Sequence, residues 1–410
     1  MNFYDEEKVS ITINSDKINF SKNVNKLISL SKLKNFAPIE TWSVNGTNKE
    51  LSYLTHGIFR YFGKFPPPVA THLINTYTKQ NSLVFDPMCG SGTTGIESII
   101  NNRKSILNDV SPLSTLITEV KTTKLSEEKI YASFNKIKNA YKPSDFKNSN
   151  FQLLGLRDTD HWFLAETLDS LYGLKILIDQ EKNAQTKKFL TVCFLSIVRK
   201  VSKTTTQQGR LFLDVKSAEK DAFEFFEKKV ISGINSFDLF PTNYHKPQIT
   251  SLDIRDNISL IFNEGTDLII CHPPYFNSYK YSRINTLELA WMGHSSAKIR
   301  PNEVKEFFKI GKKENAEIYI NDMVTALRSL NKVMKKGSHL ALMIGDTKIK
   351  GDYVNITSNL LSKISNIYEI QKIAIREPKY TEASWVSSQR RNKDSLGVTL
   401  HDFIIILKKI

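Results

Sequence analysis

The sequence is poor in cysteine: its 410 residues include only three, Cys89, Cys193 and Cys271. Cysteines so few and so widely spaced exclude a disulfide framework and a cysteine-rich zinc site, and we predict no bound metal. The sequence contains no apolar run of about 18 residues, which excludes a predicted membrane-spanning helix. The first residues are acidic and lack the pattern of a signal peptide, so we expect a cytoplasmic protein.

Positive charge is in excess, with a formal net charge of +15 at pH 7. Such an excess suggests a polyanionic partner such as nucleic acid. A lysine-rich, solvated surface explains the same charge without any partner, so composition alone leaves both interpretations open. The length suits one large domain with an insertion, or two domains.

The most informative stretch is residues 83–100. Its apolar start, Leu83 to Phe85, is typical of a short buried parallel strand, and the strand ends at Asp86 because a proline follows. A turn containing Gly90 and Gly92 leads into a helical pattern. A strand, a glycine-rich turn and a helix N-terminus together make a pocket lined with backbone N–H groups. Alone, this pattern fits an ordinary strand-to-helix turn equally well.

Residues 86–94, Asp-Pro-Met-Cys-Gly-Ser-Gly-Thr-Thr, resemble the cofactor loop of S-adenosylmethionine-dependent DNA methyltransferases that modify exocyclic amino groups. A second short strand, Ile106 to Asn108, leads into Asp109. In the related dinucleotide fold, an acid about 20 positions beyond the loop binds the ribose hydroxyls. The resemblance therefore implies that Asp109 is the ribose ligand. Its other plausible role is a helix N-cap, and the two roles are compatible.

The segment Gly63-Lys64-Phe65-Pro66-Pro67 lies just upstream and resembles the family segment that closes over the methionine end of the cofactor. The alternative is an aromatic surface loop that packs on the sheet. Asp253 follows a further short strand and completes the expected set. The residues that we expect around the cofactor are Phe62, Lys64, Phe65, Asp86, Pro87, Cys89, Gly90, Gly92, Thr93, Thr94, Asp109 and Asp253.

A second buried strand, Leu268 to Cys271, ends at His272-Pro273-Pro274-Tyr275. Ligands of parallel sheets lie outside the carboxyl ends of the strands, so this loop meets the cofactor loop if both strands join one sheet. An ordinary turn after a strand is the alternative. The segment resembles the family's catalytic loop, in which Asp, Asn or Ser precedes Pro-Pro and an aromatic residue.

By that resemblance, residue 272 and the Pro273 carbonyl accept hydrogen bonds from the base amine, and Tyr275 stacks on a base flipped out of the duplex. His272 departs from the pattern, although a neutral imidazole still offers one acceptor nitrogen. Residues 275–281 and 287–293 resemble segments of a family branch that is usually linked with methylation of cytosine N4.

Residues 126–247 show apolar side chains at helical spacing and little glycine, which predicts a helical insertion. We divide the rest of the chain into an N-terminal extension (1–50), a cofactor-binding part (51–125) and a catalytic part (248–410). The insertion matches no family segment that we can name, so we expect it to recognise the target. Its basic, polar stretch contains Lys203 and Arg210, which we predict to contact DNA; the alternative is a flexible loop.

Together these features predict a Rossmann-like α/β methyltransferase with a seven-stranded sheet and a mostly helical insertion. The resemblance implies S-adenosylmethionine as cofactor and double-stranded DNA as substrate, with cytosine N4 slightly favoured over adenine N6. A cognate restriction endonuclease or a defence-system subunit is an expected partner. Two alternatives stay open: an RNA base-amine methyltransferase, and a non-catalytic nucleic-acid-binding subunit, which the unusual His272 suggests.

Overall fold

The computed structural model describes residues 3–16, 20–146, 151–205, 211–214, 218–256, 258–276, 281–304, 314–349, 351–376, 398–399 and 402–410. The strands are β1 (Ser10–Asn14), β2 (Ile39–Asn45), β3 (Leu83–Asp86), β4 (Lys104–Asn108), β5 (Gln248–Thr250), β6 (Thr266–Cys271), β7 (Met334–Ile344), β8 (Thr347–Ile349), β9 (Asp352–Val354), β10 (Tyr368–Arg376), β11 (Val398–Thr399) and β12 (Asp402–Lys409). The helices are α1 (Lys22–Ser31), α2 (Pro67–Tyr77), α3 (Thr93–Ile100), α4 (Pro112–Lys121), α5 (Glu127–Ala140), α6 (Ala165–Asp179), α7 (Ala184–Val201), α8 (Ala222–Asn235), α9 (Tyr281–Ile284), α10 (Thr286–Trp291), α11 (Ser296–Ile299), α12 (Asn315–Lys332) and α13 (Ile356–Ile364).

The main sheet has the strand order β1-β2-β10-β12-β7-β6-β3-β4-β5. The seven strands from β10 to β5 form the predicted Rossmann-like sheet, in which β12 alone runs antiparallel to its neighbours. The fold class is thus confirmed. The N-terminal residues add two strands at one edge, because β2 pairs parallel with β10 and β1 pairs antiparallel with β2.

The centre of the sheet decides where a ligand can lie. Strand β3 pairs with β4 on one side and with β6 on the other, with Val84 opposite Leu268 and Phe85 opposite Ile269. After β3, the next two strands in sequence, β4 and β5, lie on one side of it. The chain then returns to place β6 on the other side, so the strand order reverses beside β3. In open α/β sheets, ligands bind at this reversal, outside the carboxyl ends of the strands. The two predicted loops therefore leave adjacent strands at one edge.

Both faces of the sheet are covered. Successive side chains of a strand point to opposite faces, so Val84 and Leu268 join the core on the α2 side, whereas Phe85 and Ile269 join the core that includes α12. All four side chains are fully buried. Covering helices on both faces explain the nearly uninterrupted apolar runs of β3 and β6.

The predicted insertion contains helices α5 to α8, which share a separate core with α4 and α10. In this core, Phe194 of α7 packs edge-on against Trp291 of α10, with ring centroids 5.3 Å apart. Helix α10 follows the catalytic loop in the chain, so the insertion packs directly on the catalytic part. Within the described ranges, no helix combines the length and the apolar character needed to cross a membrane.

Candidate functional site

A cleft opens at the carboxyl edge of β3, β4 and β6, with about 790 Å³ of empty space that includes open solvent. The predicted residues that line it are Lys64, Phe65, Pro87, Cys89, Gly90, Thr93, Asp109, Asp253, His272 and Pro274. The predicted residues that do not line it are Phe62, Asp86, Gly92, Thr94, Pro273 and Tyr275.

The loop after β3 contains two glycines, of which Gly90 lines the cleft and Gly92 lies just behind it in the chain. Gly90 and Gly92 have φ of +50° and +78°, a left-handed conformation that side chains other than glycine rarely adopt. A Cβ added to Gly90 would lie 3.1 Å from the Tyr61 ring, and one added to Gly92 would lie 3.0 Å from Thr118. Both positions therefore favour glycine, and at Gly90, which lines the cleft, no side chain stands between a ligand and the backbone.

Asp86 shapes this loop from behind the cleft wall. Its carboxylate accepts hydrogen bonds from the Thr94 hydroxyl at 2.5 Å and from the Met88 backbone N–H at 3.1 Å. Burial raises the pKa of Asp86 to about 7, although both hydrogen bonds lower it. Asp86 therefore joins the two ends of the loop and does not touch the cleft.

Asp109, at the end of β4, lies in the cleft wall. Its Oδ2 accepts from the Gly90 N–H and its Oδ1 accepts from the Ser111 N–H, each at 2.9 Å. Burial raises the pKa of Asp109 to about 6, so the side chain is mostly ionised at pH 7. Each carboxylate oxygen has further lone pairs that can accept from ligand hydroxyl groups.

Apolar side chains flank the second acid of the cleft. Asp253 forms a bidentate ion pair with Arg255, which lowers the pKa of Asp253 although burial raises it. Val110 and Ile254, each next to one of the two acids in sequence, line the same cleft. We did not predict these two residues, although their position beside a predicted ligand was a usable signal. They give the cleft apolar surfaces suited to the faces of a flat ring.

Asn108 is a further residue that the sequence did not reveal. Its side-chain amide donates to the carbonyl oxygens of Pro87 at 3.0 Å and Leu252 at 2.9 Å. Its Oδ1 accepts from the Thr250 hydroxyl and from the Leu252 N–H. Asn108 thus fixes the loops that follow β3, β4 and β5 relative to one another.

The segment upstream of α2 forms another wall. Burial lowers the pKa of Lys64 to about 8, so its ammonium group is still mostly charged at pH 7. Phe65 packs edge-on against His272, with centroids 5.5 Å apart. Phe62 lies outside the cleft, and the guanidinium groups of Arg60 and Arg199 lie 5.2 Å and 5.0 Å from its ring centroid.

Two tyrosines that we did not predict complete this wall. Tyr61 and Tyr281 stack with centroids 6.0 Å apart and an angle of 16° between the rings, and both line the cleft. Tyr281 belongs to α9, which follows the catalytic loop. The upstream segment and the catalytic part are therefore joined through these two rings at the cleft.

The predicted catalytic loop has one contact from a helix and one contact within itself. The Tyr319 hydroxyl of α12 donates to the Pro274 carbonyl at 2.8 Å. Nε2 of His272 lies 3.0 Å from the Tyr275 hydroxyl, and the two rings are perpendicular at 84°. Burial lowers the pKa of His272 to about 4, so the imidazole is neutral at physiological pH. Residues 277–280 of the predicted motif lie outside the described residues.

Lys203 lies at the base of a short hairpin. Thr205 donates its N–H to the Phe212 carbonyl at 2.9 Å, and Asp214 donates to the Lys203 carbonyl at 2.7 Å. Arg199 anchors this hairpin by donating its guanidinium to the Thr205 carbonyl at 3.3 Å. The other predicted DNA contact, Arg210, lies outside the described residues.

These features fit S-adenosylmethionine. Gly90 lines the cleft with backbone and no side chain, which suits a ligand that lies against the backbone. Asp109 offers acceptors for ribose hydroxyls, Val110 and Ile254 offer apolar faces for an adenine ring, and Lys64 offers a cation for a carboxylate.

The comparisons with known proteins agree with this site. A family model described as DNA methylase matches residues 1–115. The chain is similar to Type II methyltransferase M.MvaI of Kocuria varians, with 22% identity over 70% of this chain and 69% of that relative. It is also similar to Type II methyltransferase M.BsoBI of Geobacillus stearothermophilus, with 26% identity over 60% of this chain and 54% of that relative. The chain thus spans between about half and two thirds of these two relatives.

Solved structures give only distant likenesses. TrmN from Thermus thermophilus has a TM-score of 0.32 and 10% identity, covering 85% of this chain and 50% of that one. A methyltransferase from Streptococcus mutans in complex with SAH has a TM-score of 0.31 and 9% identity, covering 85% of this chain and 99% of that one. We rest no conclusion on likenesses of this size.

Proposed function

We propose that the chain is an S-adenosylmethionine-dependent DNA amino-methyltransferase that methylates DNA at a specific site. The proposed target is an exocyclic base amine, with cytosine N4 slightly favoured over adenine N6. The proposed role is the modification half of a restriction–modification or other defence system. The observation that carries the proposal is the single cleft into which the loops after β3 and β6 both open.

When bound, S-adenosylmethionine supplies an electrophilic methyl group on a positively charged sulfur. A base amine is a weak nucleophile because its lone pair is delocalised into the ring. The protein therefore has to accept hydrogen bonds from the amine N–H groups and to orient the nitrogen. Positioning and fixed dipoles of this kind account for much of the catalysis in such reactions.

His272 and the Pro273 carbonyl are the acceptors that we propose for the amine. The imidazole is neutral because burial lowers its pKa to about 4, so one ring nitrogen keeps a lone pair. Two consecutive prolines restrict the loop backbone, and Tyr319 holds the Pro274 carbonyl at 2.8 Å. The loop that carries the two proposed acceptors is thus restrained next to them.

A base within a duplex is stacked and cannot reach the floor of a cleft, so the proposed reaction requires the target base to be flipped out. The net charge of +15 favours the approach of the DNA backbone. Tyr275 as a stacking surface for the flipped base, and Lys203 and Arg210 as DNA contacts, stay predictions. A cognate endonuclease stays part of the same proposal.

Methyl transfer from labelled S-adenosylmethionine tests the proposal. Unmethylated genomic DNA and total RNA are offered separately to the purified protein, with His272→Ala as the matched control. We expect label in DNA from the wild type and much less from the control, and modified-base sequencing of that DNA then identifies the base and the site. Label in RNA alone would contradict the DNA assignment. Cofactor binding without transfer to either nucleic acid would support the non-catalytic alternative.

A further inference from the structure

One face of helix α4 lies against the back of the cleft wall. Ser114, Thr118 and Lys121 are spaced by four and three positions, so they lie on one face of the helix, and all three are fully buried. The Ser114 hydroxyl is hydrogen-bonded to the Tyr61 hydroxyl at 2.9 Å, and the Thr118 hydroxyl donates to the Gly90 carbonyl at 3.2 Å. Both partners line the cleft. This face of α4 therefore holds two parts of the cleft wall.

Lys121, the last residue of α4, makes a third contact of this kind. Its Nζ donates to the Ser91 carbonyl at 2.7 Å, and Ser91 also lines the cleft. Burial lowers the pKa of Lys121, and the nearby Lys64 and Lys229 lower it further. Within the described ranges, no carboxylate pairs with its Nζ. Lys121 therefore serves as a buried hydrogen-bond donor to the loop and not as half of an ion pair.

The two carbonyls that α4 holds fix the direction of the loop N–H groups. A trans peptide places its C=O and N–H on opposite sides, and the described chain contains no cis peptide bond. Because the Gly90 carbonyl points to α4, the Ser91 N–H points away from α4. The Gly90 N–H donates to Asp109, and the Gly92 N–H donates to the Cys89 carbonyl. Among the described residues, no group accepts from the Ser91 N–H, so this N–H is left for a ligand.

The Ser91 N–H belongs to the same end of the cleft as Lys64. The Thr55 hydroxyl donates to the Lys121 carbonyl at 2.7 Å, and Lys64 donates to the carbonyl of the next residue, His56, at 3.3 Å. Residues 55 and 56 thus join Lys64 to the end of α4 that holds Ser91. Lys64 lines the cleft. A backbone N–H near an ammonium group suits a carboxylate, because charge-assisted hydrogen bonds are the stronger ones.

We propose that Thr118 and Lys121 are positioning residues of the cofactor site. By holding the two loop carbonyls against α4, they direct the Ser91 N–H to the carboxylate of S-adenosylmethionine, which Lys64 also binds. Neither Thr118 nor Lys121 lines the cleft, so both act through the loop. The inference concerns cofactor binding and does not depend on the DNA substrate of the proposed function.

Two ligands that differ only in the carboxylate test this inference: S-adenosylmethionine and its decarboxylated form. Calorimetry measures both affinities without DNA. We expect the wild type to bind S-adenosylmethionine about tenfold or more tightly than the decarboxylated form, the factor that one hydrogen bond to a charged group is worth. Equal affinities would overturn the carboxylate site. A wild type that binds neither ligand would overturn it together with the cofactor assignment.

Thr118→Val replaces the hydroxyl with a methyl group of similar size. We expect the affinity for S-adenosylmethionine to fall about three- to tenfold, while the affinity for the decarboxylated form changes little. Thr118→Ser keeps the hydroxyl and should keep the wild-type ratio of the two affinities. Thr122→Val is the matched control, because the buried Thr122 hydroxyl donates to the Thr118 carbonyl and not to the loop. An equal fall of both affinities in Thr118→Val, which a merely structural role predicts, would overturn the inference.

The Lys121 variants separate the contact from the charge. Lys121→Met removes the donor, whereas Lys121→Gln keeps a neutral donor, so we expect a selective loss of S-adenosylmethionine affinity in the first and a smaller loss in the second. Lys229→Met is the control, because Lys229 donates to the Gly57 carbonyl and not to the loop. An equal selective loss in Lys229→Met would assign the effect to charge and overturn the positioning role of Lys121.

The Thr118 variants decide the inference if Lys121→Met does not fold. The proposed function fails separately: a wild type that prefers S-adenosylmethionine to its decarboxylated form but methylates no DNA would contradict the proposed function and leave the positioning of Ser91 intact.

Discussion

Gly90 donates its backbone N–H to Oδ2 of Asp109 at 2.9 Å, so the tip of the cofactor loop is held by the acid that ends the neighbouring strand. The acid that we predict to bind ribose and the loop that we predict to lie against the cofactor therefore form one unit. A change in the Asp109 charge should affect the shape of the loop and the ligand contact together.

The first prediction concerns Asp109→Ala. Loss of the carboxylate removes the acceptor for Gly90 and for ribose, so we expect the affinity for S-adenosylmethionine to fall about tenfold or more. Because burial raises the pKa of Asp109 to about 6, wild-type affinity should fall as the pH drops through about 6 and the acceptor is protonated. Calorimetric titration across that range should show a much flatter profile for the variant.

Asp346→Asn is the control for this titration. Burial also raises the pKa of Asp346 to about 6, but its carboxylate contacts Tyr353 and Thr357 and does not line the cleft. Its affinity profile should follow the wild type. If Asp109→Ala binds the cofactor as tightly as the wild type at every pH, the ribose assignment is wrong.

Asp86 gives the second prediction, which concerns stability. Its folded pKa of about 7 is above the ordinary value of 3.8, so its contribution to stability is fully present below pH 3.8 and is lost as the pH rises through about 7. One pKa unit corresponds to about 1.4 kcal/mol, which sets an upper value of roughly 4 kcal/mol for this loss. Urea unfolding at several pH values should show that Asp86→Asn loses less stability over this range than the wild type.

The Ala variant at this position separates structure from binding. Asp86→Ala leaves the Thr94 hydroxyl and the Met88 N–H without their acceptor. Each buried donor without an acceptor lowers the free energy of unfolding by about 1–3 kcal/mol. We expect a folded but less stable protein with weaker S-adenosylmethionine binding. Undiminished affinity would show that Asp86 does not shape the cofactor loop.

Much of the site could be predicted because its signals are local. Leu83 to Phe85 and Leu268 to Cys271 are short apolar runs bounded by proline, which identify buried strands and the loops after them. A parallel sheet places the loops after adjacent strands at one edge, and the direct pairing of Val84 with Leu268 meets that condition. Asp109 is also a local signal, because it follows the loop closely in the sequence.

The rest could not be predicted because its partners are distant in the chain. The side chain of Asn108 joins the loops after β3 and β5, and Tyr319 reaches Pro274 from another helix. Strand β2 was missed because its buried Glu40 breaks the apolar alternation. Glu40 is tolerated there because Lys372 pairs with it at 3.2 Å and the Trp42 indole donates to it at 2.6 Å. Lys372 lies on β10, far from β2 in the sequence, and the pairing of β2 with β10 cannot be inferred from the residues around β2.

The third prediction concerns the pH dependence of turnover. Because burial lowers the pKa of His272 to about 4, the imidazole should stay an acceptor, and His272 should cause no loss of activity until the pH approaches 4. His272→Ser should retain activity, since a hydroxyl also accepts, and His272→Ala should lower kcat about tenfold. Initial rates in a constant-ionic-strength buffer series check both statements. Full activity of His272→Ala would leave only the Pro273 carbonyl and Tyr275 as the catalytic loop.

The fourth prediction concerns DNA binding by the insertion. Lys203→Ala should weaken binding to duplex DNA and reduce the slope of log K against log salt by about one, because one fewer phosphate is neutralised. Lys138→Ala is the matched control, since Lys138 is an exposed lysine of the same insertion that pairs with Glu227. Fluorescence anisotropy over a salt series measures the slope. Equal slopes for Lys203→Ala and the wild type would exclude Lys203 as a phosphate contact.

The last prediction tests the wall that joins the upstream segment to the catalytic part. Gly63 lines the cleft with φ of +75°, and a Cβ added there would lie 2.3 Å from the Tyr281 hydroxyl. Gly63→Ala must therefore displace Tyr281 and disturb its stacking on Tyr61. We expect weaker S-adenosylmethionine binding by calorimetry.

Gly351→Ala controls for backbone strain alone, because Gly351 has φ of +86° with no atom within 4 Å of an added Cβ. It should lose some stability and keep its affinity. Equal affinities in the two variants would show that the contact between Gly63 and Tyr281 does not shape the cofactor site.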